Sequence, residues 1–252
     1  MVLLETKGVT KKFFEFVAVN NVNIKIDRGE LVGLIGPNGA GKTTLFNCIS
    51  GFYEPEIGQI LFKNENVTKL KPHQLAKKGL ARTFQIAQYY PNFTLLDTLM
   101  TGLRFRGKEN LLQSFLKRPK IIEEENIFLK KALDILQFLE MEEWKDYLAI
   151  NLSGGQRKIV DFATALILEP DLIMLDEPTA GVDPILIDRL LDKIKMLNYE
   201  YDTTFIMVEH NMKVIMNICK KIIVLNAGEI IAEGTPEEIQ NNKNVIEIYF
   251  RG

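Results

Sequence analysis

The stretch Gly36-Pro37-Asn38-Gly39-Ala40-Gly41-Lys42-Thr43 constrains this chain more than any other. It fits G-x-x-x-x-G-K-[ST] and lies between an apolar run, Leu31-Val32-Gly33-Leu34-Ile35, and a helix expected over Lys42–Ile49. The glycines let the backbone curl so that successive N–H groups point at one anion, and the following helix adds its positive end. In such a loop Gly36 through Thr44 surround a phosphate chain. The Lys42 ammonium reaches the β- and γ-phosphates of a nucleoside triphosphate, and the Thr43 hydroxyl ligates Mg²⁺. A strand–loop–helix unit of this kind belongs in an α/β sheet.

Composition agrees. The chain has 252 residues, 46% hydrophobic and 25% charged. Those values match soluble globular proteins and exclude disordered and collagen-like classes. Lys and Arg total 31 against 33 Asp and Glu, a net charge of −2 that gives no reason to expect a nucleic-acid partner. Apolar runs such as Ala165–Leu168 are far shorter than the roughly 20 residues of a membrane span. Met1-Val2-Leu3-Leu4-Glu5 has no basic region ahead of an apolar one, so no secretory signal is expected. Cys48 and Cys219 are too far apart in sequence to form a ligand motif and read as buried free thiols.

Strand and helix patterns alternate, predicting a mostly parallel sheet covered on both faces. Strands are expected at Leu31–Ile35, Ile60–Phe62, Leu172–Leu175 and Thr204–Val208. Helices are expected from a Thr94/Asp97 box, over Glu123–Leu139, Gly154–Leu168, Pro184–Asn198 and Asn211–Ile218. Residues 104–125, with Pro119, read as an exposed connection. Ile222–Leu225 and Glu229–Ala232 read as a hairpin around Asn226-Ala227-Gly228, and Thr235-Pro236-Glu237-Glu238 as a capped helix start.

Leu172-Ile173-Met174-Leu175 runs into two acids, Asp176 and Glu177. Beside a phosphate loop, Asp176 suits Mg²⁺, and Glu177 suits orienting or deprotonating an attacking water. Leu152-Ser153-Gly154-Gly155-Gln156 precedes a helix, with Ser153 as a natural N-cap and two glycines exposing backbone N–H groups. This makes a second anion site. With that segment the resemblance is clear: over nearly its whole length the chain resembles the nucleotide-binding subunits of ATP-binding cassette (ABC) transporters, whose signature is Leu152–Gln156.

The resemblance implies a P-loop NTPase core with a mostly parallel sheet, an N-terminal antiparallel β part and a helical subdomain. The core would take about 1–88 and 165–252, and the subdomain about 89–164. It implies that Phe13 stacks on adenine, with Phe14 as the alternative. It implies that Gln85 touches Mg²⁺ and the water and opens the transporter-facing loop, that Asp183 crosses a dimer interface, and that His210 contacts the γ-phosphate. ATP and Mg²⁺ would be the ligands. Lys42, Gln85, Glu177 and His210 would carry catalysis, with Thr43, Gln85 and Asp176 at the metal. Two subunits would sandwich each ATP between one P-loop and the partner's Ser153, Gly154, Gly155 and Gln156. The chain departs from many relatives at Thr164, where they carry arginine, and lacks the glycines often found after Phe13.

Gly79–Gln85 and the ending from Ala232 to Tyr249 resemble the ATP-binding subunits of branched-chain amino acid importers; lipopolysaccharide exporters share a similar ending. The implied partners are transmembrane permease subunits, a second ATP-binding subunit (a copy or a paralogue) and an extracytoplasmic solute-binding protein. The implied location is peripheral, on the cytoplasmic face of the membrane. Tyr89, Tyr90 and Phe93 are candidates for a groove receiving a permease helix, or for core packing. Two rival classes stay open, and an exporter subunit such as that of lipopolysaccharide export is an alternative to the importer. One rival is a soluble ABC ATPase of translation or repair, although those commonly carry two cassettes or coiled-coil insertions that this sequence does not show. The other is a non-enzymatic adaptor, which would not need Lys42, Asp176, Glu177 and His210 together.

Overall fold

The computed structural model describes residues 1–83, 91–104 and 118–251. They group into two compact units. One comprises Met1–Gln85, Pro170–Ala180 and Ile194–Gly252; the other comprises Ile86–Glu169 and Gly181–Lys193.

The first unit carries two sheets. Its strands are β1 (Val2–Phe13), β2 (Phe16–Asp27), β3 (Leu31–Ile35), β4 (Ile57–Phe62), β5 (Glu65–Asn66), β6 (Leu80–Arg82), β7 (Leu172–Asp176), β8 (Thr204–Val208), β9 (Lys221–Asn226) and β10 (Glu229–Gly234). The larger sheet is six-stranded in the order β10-β9-β3-β8-β7-β6. All its neighbouring pairs are parallel except β10 with β9. Every residue of β3, β7 and β8 is buried. This is why the sequence shows them as unbroken apolar runs rather than alternating ones. The smaller sheet, β2-β1-β4-β5, is antiparallel throughout. The Asn20 amide donates to the Gly228 carbonyl at 2.8 Å, joining β2 to the β9–β10 turn. The architecture is thus α/β with a mostly parallel central sheet and an antiparallel N-terminal part, as the resemblance implies.

Two turns set the edges. Between β1 and β2, Phe13 pairs with Phe16 and Phe14 takes φ 54°, so the chain makes a tight reversal without the glycines usual there. Between β9 and β10, Ala227 and Gly228 both take positive φ (44° and 82°), as a two-residue hairpin requires.

In the second unit Thr94 starts the helix Leu95–Arg104: the Asp97 amide donates to Thr94 Oγ1 at 3.0 Å. Leu95, Leu99, Ala132, Leu136, Ile159 and Phe162 are buried. The helix expected from Glu123 instead begins at Arg118 and runs to Phe138. Pro119 falls in its first turn, where no intrahelical partner for its missing N–H is needed. The expected connection over 104–125 is therefore shorter than the sequence suggests, and residues 105–117 lie outside the described ones. The helix Pro184–Tyr201 runs three residues beyond its expected end at Asn198, and Gly154–Leu166 stops two short of Leu168. At Thr164 the hydroxyl donates to the Val160 carbonyl at 2.9 Å.

Candidate functional site

The loop after β3 has glycine at positions that other residues could not fill. A Cβ on Gly36 would collide with the Leu225 carbonyl oxygen, and one on Gly41 with the Ala18 carbonyl oxygen. Gly36, Gly39 and Gly41 all take positive φ. Nothing lies within 4 Å of where a Cβ on Gly39 would stand, so the crest of the loop is open. The helix Lys42–Ile49 then presents its first turn, with Thr43 exposed.

Lys42 is 6% exposed and its Nζ donates to the Gly36 and Pro37 carbonyls at 2.7 and 2.9 Å. The ammonium is thereby held inside the loop. Burial lowers its pKa below the ordinary lysine value, and the negative charge of Glu177 partly offsets this. The Lys42–Glu177 coupling ties the loop electrically to the end of β7.

At that end the two acids diverge. Asp176 is buried and its Oδ2 accepts from Arg82 Nη2 at 2.8 Å. Among the described residues its Oδ1 takes no hydrogen bond. Glu177 turns the chain sharply with φ 48°, and its amide donates to the Val208 carbonyl at 2.9 Å. Its Oε1 lies 2.9 Å from His210 Nε2. β7 and β8 are parallel neighbours, with Asp176 opposite Val208. Two strand ends therefore deliver an acid and a histidine to the same place from positions far apart in sequence.

Glu209, which the sequence did not single out, is 4% exposed. Its Oε1 accepts from the Thr179 amide at 2.8 Å and the Thr179 hydroxyl at 2.6 Å, and its Oε2 from the His210 amide at 3.2 Å. A buried carboxylate thus fastens the turn after Glu177 to the residue that carries the imidazole.

Phe13 packs edge-on against Tyr53, with ring centroids 5.4 Å apart. Lys11 Nζ lies 5.4 Å from the Phe13 centroid and pairs with Glu56 Oε1 at 2.6 Å. Phe14, by contrast, is fully exposed. Of the two rings, Phe13 is the one packed against neighbours.

In the second unit Ser153 caps the helix Gly154–Leu166. Its Oγ accepts from the Gln156 amide at 3.2 Å, and Gln156 Oε1 accepts from the Ser153 amide at 2.8 Å. Gly154 is exposed with nothing within 4 Å of an added Cβ, whereas Gly155 is buried beside Val182. Asp183 Oδ1 accepts from the Ile185 amide at 2.9 Å, the contact of a helix-start acid. Phe93 is part-exposed and its carbonyl accepts from the Ala149 amide. Gln85, Tyr89 and Tyr90 lie outside the described residues.

The donors that Thr43 and Asp176 offer are of the oxygen type that suits Mg²⁺ held chiefly by substrate phosphates. No group of three or more His, Cys, Asp or Glu able to hold a metal occurs among the described residues. An exposed threonine hydroxyl and one carboxylate oxygen are the donors such a site uses.

Comparison with known proteins decides the family. The model for ABC transporters matches residues 19–180. This chain belongs to the ABC transporter family. A second model, for the branched-chain amino acid ATP-binding cassette transporter, matches residues 229–250. The chain is 37% identical over 248 residues to the high-affinity branched-chain amino acid transport ATP-binding protein BraF of Pseudomonas aeruginosa, covering 98% of this chain and 97% of that one. Its fold matches the ADP conformation of an ABC transporter cassette with a TM-score of 0.86 at 35% identity, over 100% of both chains. It also matches a dimeric, post-hydrolysis cassette bound to ADP and Pi, with a TM-score of 0.80 at 29% identity, over 93% of this chain and 99% of that one. Like its family, the chain is an ATP-binding ATPase subunit. No helix among the described residues is long and apolar enough to cross a membrane. Membership of the ABC transporter family as an ATP-binding subunit implies membrane permease partners.

Proposed function

We propose that this ABC subunit hydrolyses ATP to power uptake of branched-chain amino acids. It would act with a permease, a second ATP-binding subunit and an extracytoplasmic binding protein, from the cytoplasmic face of the membrane. The match of residues 229–250 to the branched-chain cassette model and the likeness to BraF support the solute class.

The observation that carries the chemistry is the pairing of Glu177 with His210 at adjacent strand ends, within electrostatic reach of Lys42. In this reading the amides of Gly36 to Thr44 and the Lys42 ammonium bind the phosphates. Phe13 supports the adenine. Thr43, Asp176 and Gln85 would hold Mg²⁺, which would supply positive charge against the phosphates. Glu177 accepts a hydrogen bond from the attacking water and draws off its proton, while His210 donates to the γ-phosphate from the same side. Catalysis of this kind is mostly positioning and charge stabilisation.

Each P-loop encloses only part of its triphosphate. Ser153, Gly154, Gly155 and Gln156 of a second subunit would complete the cage, so that ATP favours closure and hydrolysis releases it. The solved relative that is itself dimeric and bound to ADP and Pi supports a paired state of the cassette. The test is to purify the chain with its membrane subunits from detergent extracts, reconstitute them in vesicles with the binding protein, and follow labelled leucine, isoleucine and valine. ATP-dependent accumulation of these solutes is expected, and none with Glu177→Gln. ATP turnover without any branched-chain uptake would overturn the solute assignment.

A further inference from the structure

Arg82 ends β6, immediately before the segment that carries Gln85. Its side chain is 8% exposed and that of Asp176 is 7% exposed. Nη2 donates to Asp176 Oδ2 at 2.8 Å, while Nη1 donates to Asn47 Oδ1 and Ser50 Oγ, both at 2.7 Å. The guanidinium carbon lies 5.5 Å from the ring centroids of both Phe46 and Phe52. Phe46 and Asn47 belong to the helix that begins at Lys42 and Thr43, and Ser50 caps its end. The next residue adds a stitch: the Asp176 amide donates to Thr83 Oγ1 at 3.2 Å, and the Thr83 amide to the Met174 carbonyl at 2.9 Å.

The planar fork matters here. A guanidinium can serve acceptors on two elements at once in a fixed geometry; an ammonium is a single point on a flexible stem. One buried cation thus fixes the far end of the P-loop helix against the strand end that carries Asp176. It engages only Oδ2 of that carboxylate.

We propose that Arg82 is a positioning residue for the Mg²⁺ site, holding Asp176 by one oxygen in register with the P-loop helix so that the other oxygen serves the metal. This rests on the reading of Asp176 as a metal carboxylate. Arg82 does not touch the nucleotide in this scheme; it acts through Asp176.

The experiment compares ATP affinity with Mg²⁺ and with EDTA, by calorimetry, in wild type, Arg82→Gln, Arg82→Lys, Asp176→Asn and Arg82→Gln/Asp176→Asn. Mn²⁺ binding to each ATP complex is followed in parallel by electron paramagnetic resonance. Arg82→Gln is expected to lose about tenfold of the metal-dependent gain in affinity, the size of one hydrogen bond to a charged group. Affinity in EDTA should stay within about twofold, and the double variant should be no worse than Asp176→Asn alone. A purely structural role would weaken binding equally in both conditions, and additive losses would show that Arg82 does not act through Asp176; either result overturns the proposal. If Arg82→Gln does not fold, Arg82→Lys decides: an undiminished metal-dependent gain with lysine overturns the need for the fork. If Asp176→Asn keeps its metal-dependent gain, the metal reading of Asp176 fails, and the failure is distinguishable from that of Arg82.

Discussion

His210 Nε2 and Glu177 Oε1 lie 2.9 Å apart, although 33 residues separate them in sequence. The contact exists because β7 and β8 are parallel neighbours whose ends coincide. Glu177→Gln keeps the shape and the contact but removes the base. It should bind ATP normally and lose at least about a hundredfold in phosphate release, as expected for removal of a general base. ATP-held dimers should accumulate on gel filtration. Wild-type turnover in this variant would take Glu177 out of the catalytic role.

Lys42 sits where burial disfavours its charge. Bound phosphates should restore that charge, so ATP binding is expected to take up protons as the pH approaches the lowered lysine value. Affinity should then fall with rising pH from below the point at which an ordinary lysine deprotonates. Calorimetry in buffers of different ionisation enthalpy reads the proton uptake. Lys42→Ala should abolish both the uptake and most of the phosphate affinity.

Glu209 receives hydrogen bonds from both donors of Thr179 and from the His210 amide. Glu209→Ala leaves those buried donors unpaired and should cost about 2–3 kcal/mol of stability, measured by urea unfolding. Below its melting temperature the variant should show reduced kcat with a nearly unchanged KM for ATP, because the imidazole loses its anchor while the P-loop is untouched. Thr179→Val should reproduce part of the kcat loss.

Asp171 joins Arg28 and Lys63 in one ion cluster. Burial alone would raise its pKa, but the hydrogen bonds and charges of Lys63 and Arg28 outweigh this and hold it below the usual carboxylate value. The folded form therefore binds its proton less readily than the unfolded chain. The stabilisation is present above the ordinary aspartate range and is lost as pH falls through the depressed value. Thermal melts of wild type and Asp171→Asn should differ at neutral pH and converge in acid. A gap that persists at low pH would show that the cluster is not what Asp171 contributes.

The P-loop, the signature and the acidic strand were legible because each is a local device: glycines at fixed offsets, a capping serine, an apolar run ending in acids. β3, β7 and β8 were legible because full burial leaves no alternation to misread. Arg82 was not, since its partners Asn47 and Asp176 are 35 and 94 residues away, and nothing beside Arg82 in sequence marks it as buried. Glu209 was hidden for the same reason, its partner Thr179 being 30 residues distant. Element ends were the weakest reading. Pro119 looked like a break, yet it occupies a first turn that tolerates it. β1 and β2, with polar stretches such as Asn20-Asn21-Val22-Asn23, hold together through pairing rather than propensity.

The left-handed backbone at Glu177 limits how this position can drift. A β-branched side chain there would be badly strained, whereas asparagine, aspartate and glycine tolerate that region far better. Replacements that spare the bend are mostly short or amide-bearing, and these either retract the carboxylate or discharge it. Lineages that relax this position would therefore tend to become well-folded nucleotide binders with little turnover, rather than unfolded chains, a route by which one member of an unequal pair could fall silent while still holding ATP.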